Sequence, residues 1–293
     1  MTKSIEDFSE ILQRDERLSN HTWLRLGGPA EYFVTPRTEA ELLEVIQVCR
    51  SQQLPIYILG SGSNLLVREA GVKGVVIKVV EPLLGEVQIE GTSLTAGGGA
   101  LLSHVVAEAV RSGLGGIEDL VGIPGTIAGA VVGNSGGRTG DIGQLITSVR
   151  VLTQDNKIAV RHGDELSFSY RRSGIQDLLV LSATLELIRD DSEELPRRMR
   201  KNWIMKRSTQ PLTDQSAGCV FRNPRGLSAG ALIEQCGLKG LSVGKARISE
   251  RHANFVVTED GATTQDVEQL IAKIQKAVAE KFAVDLELEI KVW

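Results

Sequence analysis

The sequence predicts an α+β protein made of two or three compact units, and three observations lead to this prediction. The chain has 293 residues, which is too long for one minimal domain and suits two or three small ones. Hydrophobic residues make up 42% of the chain and charged residues 24%, so a well-buried core is expected and disorder is not. Stretches with helical periodicity are interspersed with short apolar or alternating stretches that are typical of strands.

The sequence of residues 1–80 predicts a small region that contains one helix and two strands. A capping-box pattern at residues 38–41 opens a helix that extends to about Arg50. The apolar run Ile56–Leu59 predicts a buried strand, and residues 75–80 predict a second one.

Residues 81–190 predict a second region, in which a glycine-dense stretch follows a helix. Apolar residues at helical spacing place the helix at 101–112, and the glycine-dense stretch covers 113–143. The polar run at 189–192 predicts the end of this region. The strands predicted here are Val87–Glu90, 149–153, 157–160 and 179–188.

Residues 191–293 predict a third region that mixes helices and strands. Its longest element is an amphipathic helix with one apolar stripe. The predicted elements are a basic helix at 193–208, a helix near 229–236, a strand at 254–258, the amphipathic helix from Thr263 or Thr264, and a terminal strand at 284–292.

The net charge and the cysteine content limit the classes of binding partner and the cellular compartment that we expect for this chain. A net charge of −4 argues against nucleic acid or an anionic membrane as the main partner. The N-terminus does not match a signal peptide, and no later stretch approaches the ~20 apolar residues of a membrane span. Three cysteines without CxxC spacing and four scattered histidines predict neither disulfides nor a metal site, which favours a reducing cytoplasm.

Glycine is the most unusual residue in the composition. The chain has 31 glycines, whereas about 7%, or roughly 20, would be usual for its length. The excess is concentrated between residues 60 and 143. One cluster, at 60–64, follows a predicted strand, and its N–H groups could form an anion-binding nest. It is neither a Walker A loop nor a complete GxGxxG, because Leu65 occupies the third glycine position, so an ordinary turn remains an equal alternative.

A second glycine cluster favours a cofactor. Small residues at 122–130 lead into 134–137, with apolar residues such as Ile123 and Ile127 between them that require burial. The dense spacing fits two structures: tight packing of a helix on a sheet, or backbone lying against a large flat cofactor with a pyrophosphate. Together with the first cluster and the glycines at 97–99, it favours the cofactor.

Eight short motifs, in order from about residue 20 to the C-terminus, resemble those of the UDP-N-acetylenolpyruvoylglucosamine reductase family. The motifs are 20–28 (NHTWLRLGG), 60–64 (GSGSN), 122–137 (GIPGTIAGAVVGNSGG), 170–173 (YRRS), 210–211 (QP), 218–224 (GCVFRNP), 252–255 (HANF) and 286–290 (LELEI). The resemblance implies an α+β fold: a two-lobed FAD-binding domain of the vanillyl-alcohol-oxidase type at 1–80 and 81–190, then a substrate-binding domain at 191–293. In that fold the C-terminal strand returns to the active site. The chain resembles the shorter subtype, without an insertion after Ser173.

The resemblance also implies the reaction and the cofactor. NADPH would reduce non-covalently bound FAD, which would in turn reduce UDP-N-acetylglucosamine enolpyruvate to UDP-N-acetylmuramate in peptidoglycan precursor synthesis. Arg138 and Thr139 depart from the family pattern, which often has an aromatic residue there, and this departure affects the expected flavin contacts. The residues expected to bind FAD are Leu59, Gly60, Ser61, Gly62, Ser63, Asn64, Gly98, Gly122, Ile123, Pro124, Gly125, Thr126, Gly129, Ala130 and Asn134.

Three residues match the catalytic positions of the family. Negative charge develops on an enolate beside a carboxylate, so the reaction needs positive charge or donors there and an acid to quench it. Arg171 matches the arginine that polarises the carboxylate, Cys219 the proton donor, and Glu289 the assisting glutamate. Most relatives have serine in place of the cysteine. Expected substrate contacts are Tyr170, Lys206, Arg207 and Asn223.

Other interpretations of the same residues stay open. Without the resemblance, Arg171 could be a surface charge, Cys219 a small buried apolar residue, and Glu289 an outward side chain on a strand. The chain could instead be another FAD-dependent oxidoreductase of the same fold, or a non-catalytic module that binds a nucleotide sugar. The expected partners are the enolpyruvyl nucleotide sugar and NADPH, and the expected oligomeric state is a monomer.

Overall fold

The computed structural model describes residues 3–137 and 140–293, and the chain divides into two compact units. Unit 1 contains Met1–Arg14, Tyr32–Ser61 and Gly74–Met205. Unit 2 contains Asp15–Glu31, Gly62–Lys73 and Lys206–Trp293. Each unit therefore combines segments that lie far apart in the sequence.

Several helices begin where the sequence supplies a side-chain cap. The Thr38 side chain accepts a hydrogen bond from the Glu41 N–H, and the Thr263 side chain accepts one from the Asp266 N–H. Among the described residues, no helix is both long and apolar enough to cross a bilayer. The helices are α1 (Glu39–Ser51), α2 (Leu102–Arg111), α3 (Ile127–Val132), α4 (Glu194–Thr209), α5 (Ala229–Gln235) and α6 (Thr264–Phe282).

The strands are short and form several separate sheets. In chain order they are β1 (Leu12–Arg17), β2 (Pro29–Val34), β3 (Ile56–Leu59), β4 (Leu65–Leu66), β5 (Val72–Lys78), β6 (Val87–Glu90), β7 (Ser93–Gly97), β8 (Leu114–Gly115), β9 (Ile146–Leu152), β10 (Ile158–His162), β11 (Leu179–Glu186), β12 (Ile188–Arg189), β13 (Gln215–Cys219), β14 (Ser242–Val243), β15 (Ala246–Ile248), β16 (Phe255–Thr258) and β17 (Lys291–Val292).

Two sheets carry most of the strands of the first two-thirds of the chain. Their strand orders are β1–β2–β5–β3 and β10–β9–β11–β7–β6. The apolar face of α1, including Leu42 and Ile46, packs in one core with Ile77 of β5. In a second core, Val105 of α2 packs with Val149 of β9. The apolar stripes predicted from the sequence therefore face these sheets. This packing fixes the positions at which the glycine-rich loops begin.

Unit 2 has its own sheet and core. The antiparallel sheet has the order β13–β16–β15–β14, and α5 and α6 pack together over its core. Val267, Leu270 and Ile274 lie on the buried stripe of α6, as their spacing predicts. A separate parallel pair joins β17 to β4, with Lys291 opposite Leu65.

The structure confirms the predicted α+β content and the five predicted helices, with ends displaced by no more than a residue or two. The strands predicted at 75–80, 149–153 and 157–160 occur with shifted ends. The predicted strand 179–188 breaks at Leu187, which is buried and donates its N–H to the Thr92 carbonyl. Beyond the break, the chain pairs with β8 as the separate strand β12.

The prediction of one terminal strand over 284–292 is wrong. Only Lys291–Val292 forms a regular strand, although Leu288 makes an isolated antiparallel bridge to Phe221. The cause is a change of partner, because the backbone first bonds to the segment that contains Val220 and then to β4. Alternation of apolar and polar residues reports which side is buried, but it does not report where the pairing partner changes.

Candidate functional site

The two predicted glycine loops meet within unit 1. Gly60 follows β3, and a Cβ atom built on it would lie 2.9 Å from the Thr126 Oγ1 atom. Thr126 is buried and caps α3, where its side chain accepts a hydrogen bond from the Gly129 N–H at 3.4 Å. The close approach leaves no room for a side chain at Gly60, which explains the glycine at this point. Leu59 is buried, and Ser61 is half-buried.

The second loop adopts backbone conformations that favour glycine. Gly122 has φ +76° and Gly125 has φ +130°. Gly125 accepts a hydrogen bond from the Leu102 N–H at 3.0 Å, which holds the loop against the start of α2. Gly122, Ile123, Pro124 and Gly125 are half-buried, Gly129 is exposed and Ala130 is buried. The loop therefore presents partly exposed backbone with few protruding side chains.

Gly98 has a packing role that the sequence does not reveal. A Cβ atom on it would overlap the carbonyl oxygen of Val180 in β11. Its own carbonyl accepts a hydrogen bond from the Ala128 N–H at 2.9 Å, so it also supports α3. Gly98 is buried, and its place in flavin binding stays a prediction.

The later half of the first loop belongs to unit 2. Gly62 has φ +67°, and a Cβ atom on it would overlap the carbonyl oxygen of His21. The Trp23 N–H donates to the Gly62 carbonyl at 3.1 Å. The motif at 20–28 therefore supports this loop through backbone contacts. Ser63 is half-buried and Asn64 is exposed.

Arg171 lies in a tight turn of unit 1. Ser169 and Arg172 form a short antiparallel bridge, and Arg171 between them has φ +55°. The Arg171 Nη2 atom donates to the Gly136 carbonyl at 2.9 Å. The guanidinium carbon lies 5.2 Å from the ring centre of the exposed Tyr170. The guanidinium is thereby aimed along the end of the second glycine loop.

Two further side chains fasten this turn to the glycine loop. Asn134 is 1% exposed, and its Nδ2 atom donates to the Ser169 carbonyl at 2.8 Å. Its Oδ1 atom accepts from the Gly143 N–H at 2.9 Å. The Ser173 hydroxyl donates to the Val132 carbonyl at 3.0 Å. The structure thus brings Asn134 and Arg171 together, but the Asn134 side chain acts on protein backbone.

Cys219 ends strand β13 beside a β-bulge. Ser216 lies opposite Val257 and Cys219 lies opposite Phe255, so three residue steps on β13 face two on β16. The extra residue is accommodated at Gly218, which has φ +76°. A Cβ atom on Gly218 would meet nothing within 4 Å. Glycine is therefore favoured here by the backbone conformation and not by a lack of space. A bulge redirects the side chain that follows it, here Cys219. The glycine before the cysteine was the sequence signal for this bulge.

Glu289 lies close to Cys219 along the backbone of unit 2. The Glu289 N–H donates to the Val220 carbonyl at 2.8 Å, and Val220 directly follows Cys219. The Asn64 Nδ2 atom donates to the Glu289 carbonyl at 3.3 Å. Glu289 is half-buried, whereas Glu287 is exposed and its carboxylate lies 3.4 Å from Arg222 Nη1. The two glutamates of this segment therefore differ in setting.

The predicted substrate contacts of unit 2 lie on α4 and before α5. Lys206 is half-buried and Arg207 is exposed in the last turn of α4. The Arg207 carbonyl accepts a hydrogen bond from Arg251 Nη1 at 3.3 Å. Asn223 is exposed, and its Oδ1 atom accepts from the Ala229 N–H at 2.9 Å, which fixes the amide orientation.

Some expectations are not addressed by this geometry. Arg138 and Thr139 lie outside the described residues. In the part of the chain that the structure describes, no three acidic, histidine or cysteine side chains form a metal-ligand group. An open cavity of about 440 Å³ lies in unit 1, and none of the predicted site residues is in its lining. Its lining is Thr153, Gln154, Asp155, Arg161, Glu165, Gly174, Gln176 and Asp177.

Comparison with known proteins accounts for almost the whole chain. Residues 210–293 match the family described as UDP-N-acetylenolpyruvoylglucosamine reductase, C-terminal domain, and residues 30–160 match an FAD binding domain family. A UDP-N-acetylenolpyruvoylglucosamine reductase of Moorella thermoacetica is 43% identical over 280 residues, which cover 95% of this chain and 92% of that protein. One of Anoxybacillus flavithermus is 39% identical over 284 residues, with 96% and 94% covered.

A solved structure shows the same arrangement of the chain. The crystal structure of the UDP-N-acetylenolpyruvylglucosamine reductase of Thermus caldophilus matches with a TM-score of 0.82 and 39% sequence identity. The match covers 96% of this chain and 99% of that one.

Proposed function

The chain belongs to the UDP-N-acetylenolpyruvoylglucosamine reductase family, and on that premise we propose that Arg171, Cys219 and Glu289 carry the reduction of its substrate. The protein is an FAD-containing, NADPH-dependent oxidoreductase of peptidoglycan precursor synthesis. It reduces UDP-N-acetylglucosamine enolpyruvate to UDP-N-acetylmuramate. The observation that supports the residue assignment most strongly is the backbone link from Glu289 through Val220 to Cys219.

The residues of the glycine loops fit FAD. Gly60 approaches Thr126 so closely that a Cβ atom would have to displace it, and Gly122 and Gly125 have positive φ with partly exposed backbone. Such a lining suits a flat ring system and a pyrophosphate that binds N–H groups. We propose that FAD is held by residues 59–64 and by Gly98, Gly122, Ile123, Pro124, Gly125, Thr126, Gly129, Ala130 and Asn134. Bound FAD supplies the hydride chemistry, first with NADPH and then with the enolpyruvyl group.

Each proposed catalytic residue answers one need of the second half-reaction. As hydride adds to the double bond, negative charge builds on the enolate beside the substrate carboxylate. Arginine offers a planar, positively charged guanidinium, and that of Arg171 can pair with the substrate carboxylate. The Cys219 Sγ–H is proposed to give its proton to the carbanionic carbon, and Glu289 to assist through its carboxyl group. The bulge at Gly218 supports this role because it redirects Cys219.

The remaining assignments concern substrate binding and organisation. We propose that Lys206 and Arg207 meet the substrate phosphates, and that Tyr170 and Asn223 contact the nucleotide sugar. Three separate hydrophobic clusters support the proposed division at about residues 80 and 190, since each is drawn largely from one of the three regions. A cytoplasmic location, supported by cysteines without disulfide spacing, is also part of the proposal, as is a monomeric state.

An anaerobic two-step titration tests the function. The purified protein should be yellow, and NADPH should bleach the flavin absorbance. Addition of UDP-N-acetylglucosamine enolpyruvate should then restore the absorbance, with one UDP-N-acetylmuramate formed per flavin reoxidised. A flavin that bleaches but is restored only by another acceptor would favour a different oxidoreductase of the same fold. Colourless protein that binds the nucleotide sugar would favour a binding module.

A further inference from the structure

Asn254 makes an unusual pair of contacts in unit 2. It is 3% exposed, and its Nδ2 atom donates to the Phe221 carbonyl at 2.8 Å while its Oδ1 atom accepts from the Phe221 N–H at 3.0 Å. Both polar atoms of one side chain therefore bind both backbone groups of one residue. This is the pattern that a neighbouring strand would supply, and a buried amide that satisfies it fully is bound tightly.

The contacts of Asn254 fix a short segment between the two proposed catalytic residues of unit 2. The Asn254 carbonyl also accepts from the Val220 N–H at 2.8 Å. On the opposite edge, the Val220 carbonyl accepts from the Glu289 N–H at 2.8 Å. Cys219 directly precedes this segment. Movement of Val220 and Phe221 would therefore move the Cys219 thiol and the Glu289 backbone together.

The environment determines the orientation of the Asn254 amide. Only one orientation gives the Phe221 N–H an acceptor and the Phe221 carbonyl a donor. The Asn254 N–H donates to the His252 Nδ1 atom at 3.2 Å, which requires that nitrogen to be unprotonated. Burial, and next the positive charge of Lys239, lower the pKa of His252 and favour the neutral ring. The His252 ring also packs edge-on against the Phe255 ring, with centroids 4.9 Å apart.

We infer that Asn254 is a positioning residue that fixes Cys219 and Glu289 relative to each other for the protonation of the substrate. This inference rests on the proposed role of Cys219. Asn254 itself is buried and acts only through the Val220–Phe221 backbone. Its packing alone would be served by other side chains of similar size, whereas the positioning role needs one donor and one acceptor side by side.

The substitution Asn254→Asp separates these two roles. A protonated aspartic acid can still donate to the Phe221 carbonyl and accept from its N–H. An ionised one would face that carbonyl without a proton, and burial raises the pKa of a carboxyl group. We expect reoxidation of the flavin by substrate to be about 10- to 100-fold slower than wild type at about pH 8, and within a few-fold of it at about pH 5.5. Reduction by NADPH should match wild type at both values.

The matched control is Thr264→Val, also in unit 2. Thr264 is fully buried, and its hydroxyl donates to the Val67 carbonyl at 2.7 Å. This variant loses a buried hydrogen bond of the same kind and should keep the wild-type rate of reoxidation at both pH values. Rates are compared as variant-to-wild-type ratios, because the other titratable and charged side chains around this segment are the same in a variant and in wild type. These side chains include His252, Lys239, Glu234, Cys219 and Glu289.

Thiol alkylation gives a second measurement that does not depend on turnover. Cys219 and Cys236 are both half-buried, so the rate at Cys236 serves as an internal reference. In Asn254→Asp at about pH 8, iodoacetamide should modify Cys219 about 3- to 10-fold faster relative to Cys236 than in wild type, because the segment opens more often. If this variant does not fold at that pH, Asn254→Ser replaces it, and its reoxidation should stay slow at every pH.

The outcomes distinguish this inference from the proposed function. Wild-type reoxidation rates in both Asn254→Asp at about pH 8 and Asn254→Ser, a loss in Asn254→Asp without recovery at about pH 5.5, or an equal loss in Thr264→Val would each overturn the positioning role. If wild-type protein is not reoxidised by the enolpyruvyl nucleotide at all, the proposed function fails. In that case the alkylation ratio still decides whether Asn254 holds the Cys219 segment.

Discussion

The Arg171 turn of unit 1 and the Cys219 segment of unit 2 are each held by a buried asparagine, but in different ways. The Asn134 side chain bonds to two separate loops, through the Ser169 carbonyl and the Gly143 N–H. The Asn254 side chain bonds to both backbone groups of Phe221. The position of Arg171 therefore depends on loops that are joined by single hydrogen bonds. The position of Cys219 depends instead on a segment that is hydrogen-bonded along both of its edges.

This difference predicts different failures in the two units. Loss of one bond from Asn134 should loosen one loop relative to another, and so change how the substrate carboxylate is bound. Loss of one bond from Asn254 should shift a strand-like segment that carries the proton donor, and so change the rate of proton transfer. Binding defects are thus expected from the turn of unit 1, and chemical defects from the segment of unit 2.

After the proton donor itself, the largest effect in this comparison is expected at Glu289. Glu289→Gln keeps the backbone bond to Val220 but removes the carboxyl group, and reoxidation by substrate should slow by about 100-fold. Glu287→Gln is the matched control, since that glutamate lies on the same segment and its exposed carboxylate pairs with Arg222, and an ion pair with an exposed partner is worth little energy. Stopped-flow measurement of both variants should show a change of less than about two-fold for Glu287→Gln. Comparable losses would mean that the facing of this segment is assigned wrongly.

An intermediate effect is expected at Asn134. Asn134→Asp removes the donor to the Ser169 carbonyl, so the Arg171 turn should loosen and KM for the enolpyruvyl nucleotide should rise about 10-fold, with a smaller change in kcat. Steady-state kinetics at several substrate concentrations would measure this. The control is Thr153→Val, also in unit 1, which loses the buried hydroxyl that donates to the Lys157 carbonyl. An unchanged KM in folded Asn134→Asp would contradict the role of Asn134 in placing Arg171.

The smallest effect is expected at the β-bulge. Gly218 and Gly237 have φ +76° and +72°, and a Cβ atom on either would meet nothing within 4 Å. Alanine at each should therefore lower the free energy of unfolding equally, by about 1 kcal/mol. Only Gly218→Ala should also slow reoxidation by substrate, by a few-fold, because only Gly218 precedes Cys219. Equal denaturation midpoints with equal, unchanged rates would show that the bulge does not position the thiol.

Local signals in the sequence were sufficient for five of the six described helices and for part of the site, whereas α3 was not predicted. The cap at Thr38 and the apolar stripe of α6 lie within a few residues of what they determine, so the sequence predicts them well. Both glycine loops were also recognised from clustered small residues, but the close approach of Gly60 to Thr126 was not predicted. By contrast, Gly98 packs against Val180, more than eighty positions away, and no local pattern reports such a contact.

The missed features share a dependence on distant partners. The terminal segment changes partner between Glu289 and Lys291, and alternation alone predicted one continuous strand. Asn254 was part of a recognised motif, yet its pairing with Phe221 depends on two segments more than thirty residues apart. Polar side chains that pair with distant backbone are therefore the least predictable part of this site from sequence.

The most direct test of the proposed mechanism is a stopped-flow comparison of wild type, Cys219→Ala and Cys219→Ser in the two half-reactions. Reduction of the flavin by NADPH should be nearly the same in all three, because it creates no substrate carbanion. Reoxidation by the enolpyruvyl nucleotide should slow by about 10²- to 10⁴-fold in Cys219→Ala, the usual contribution of a positioned general acid. Cys219→Ser should recover much of that rate, since its hydroxyl can also donate a proton. If alanine slows both half-reactions equally, or neither, Cys219 is not the proton donor.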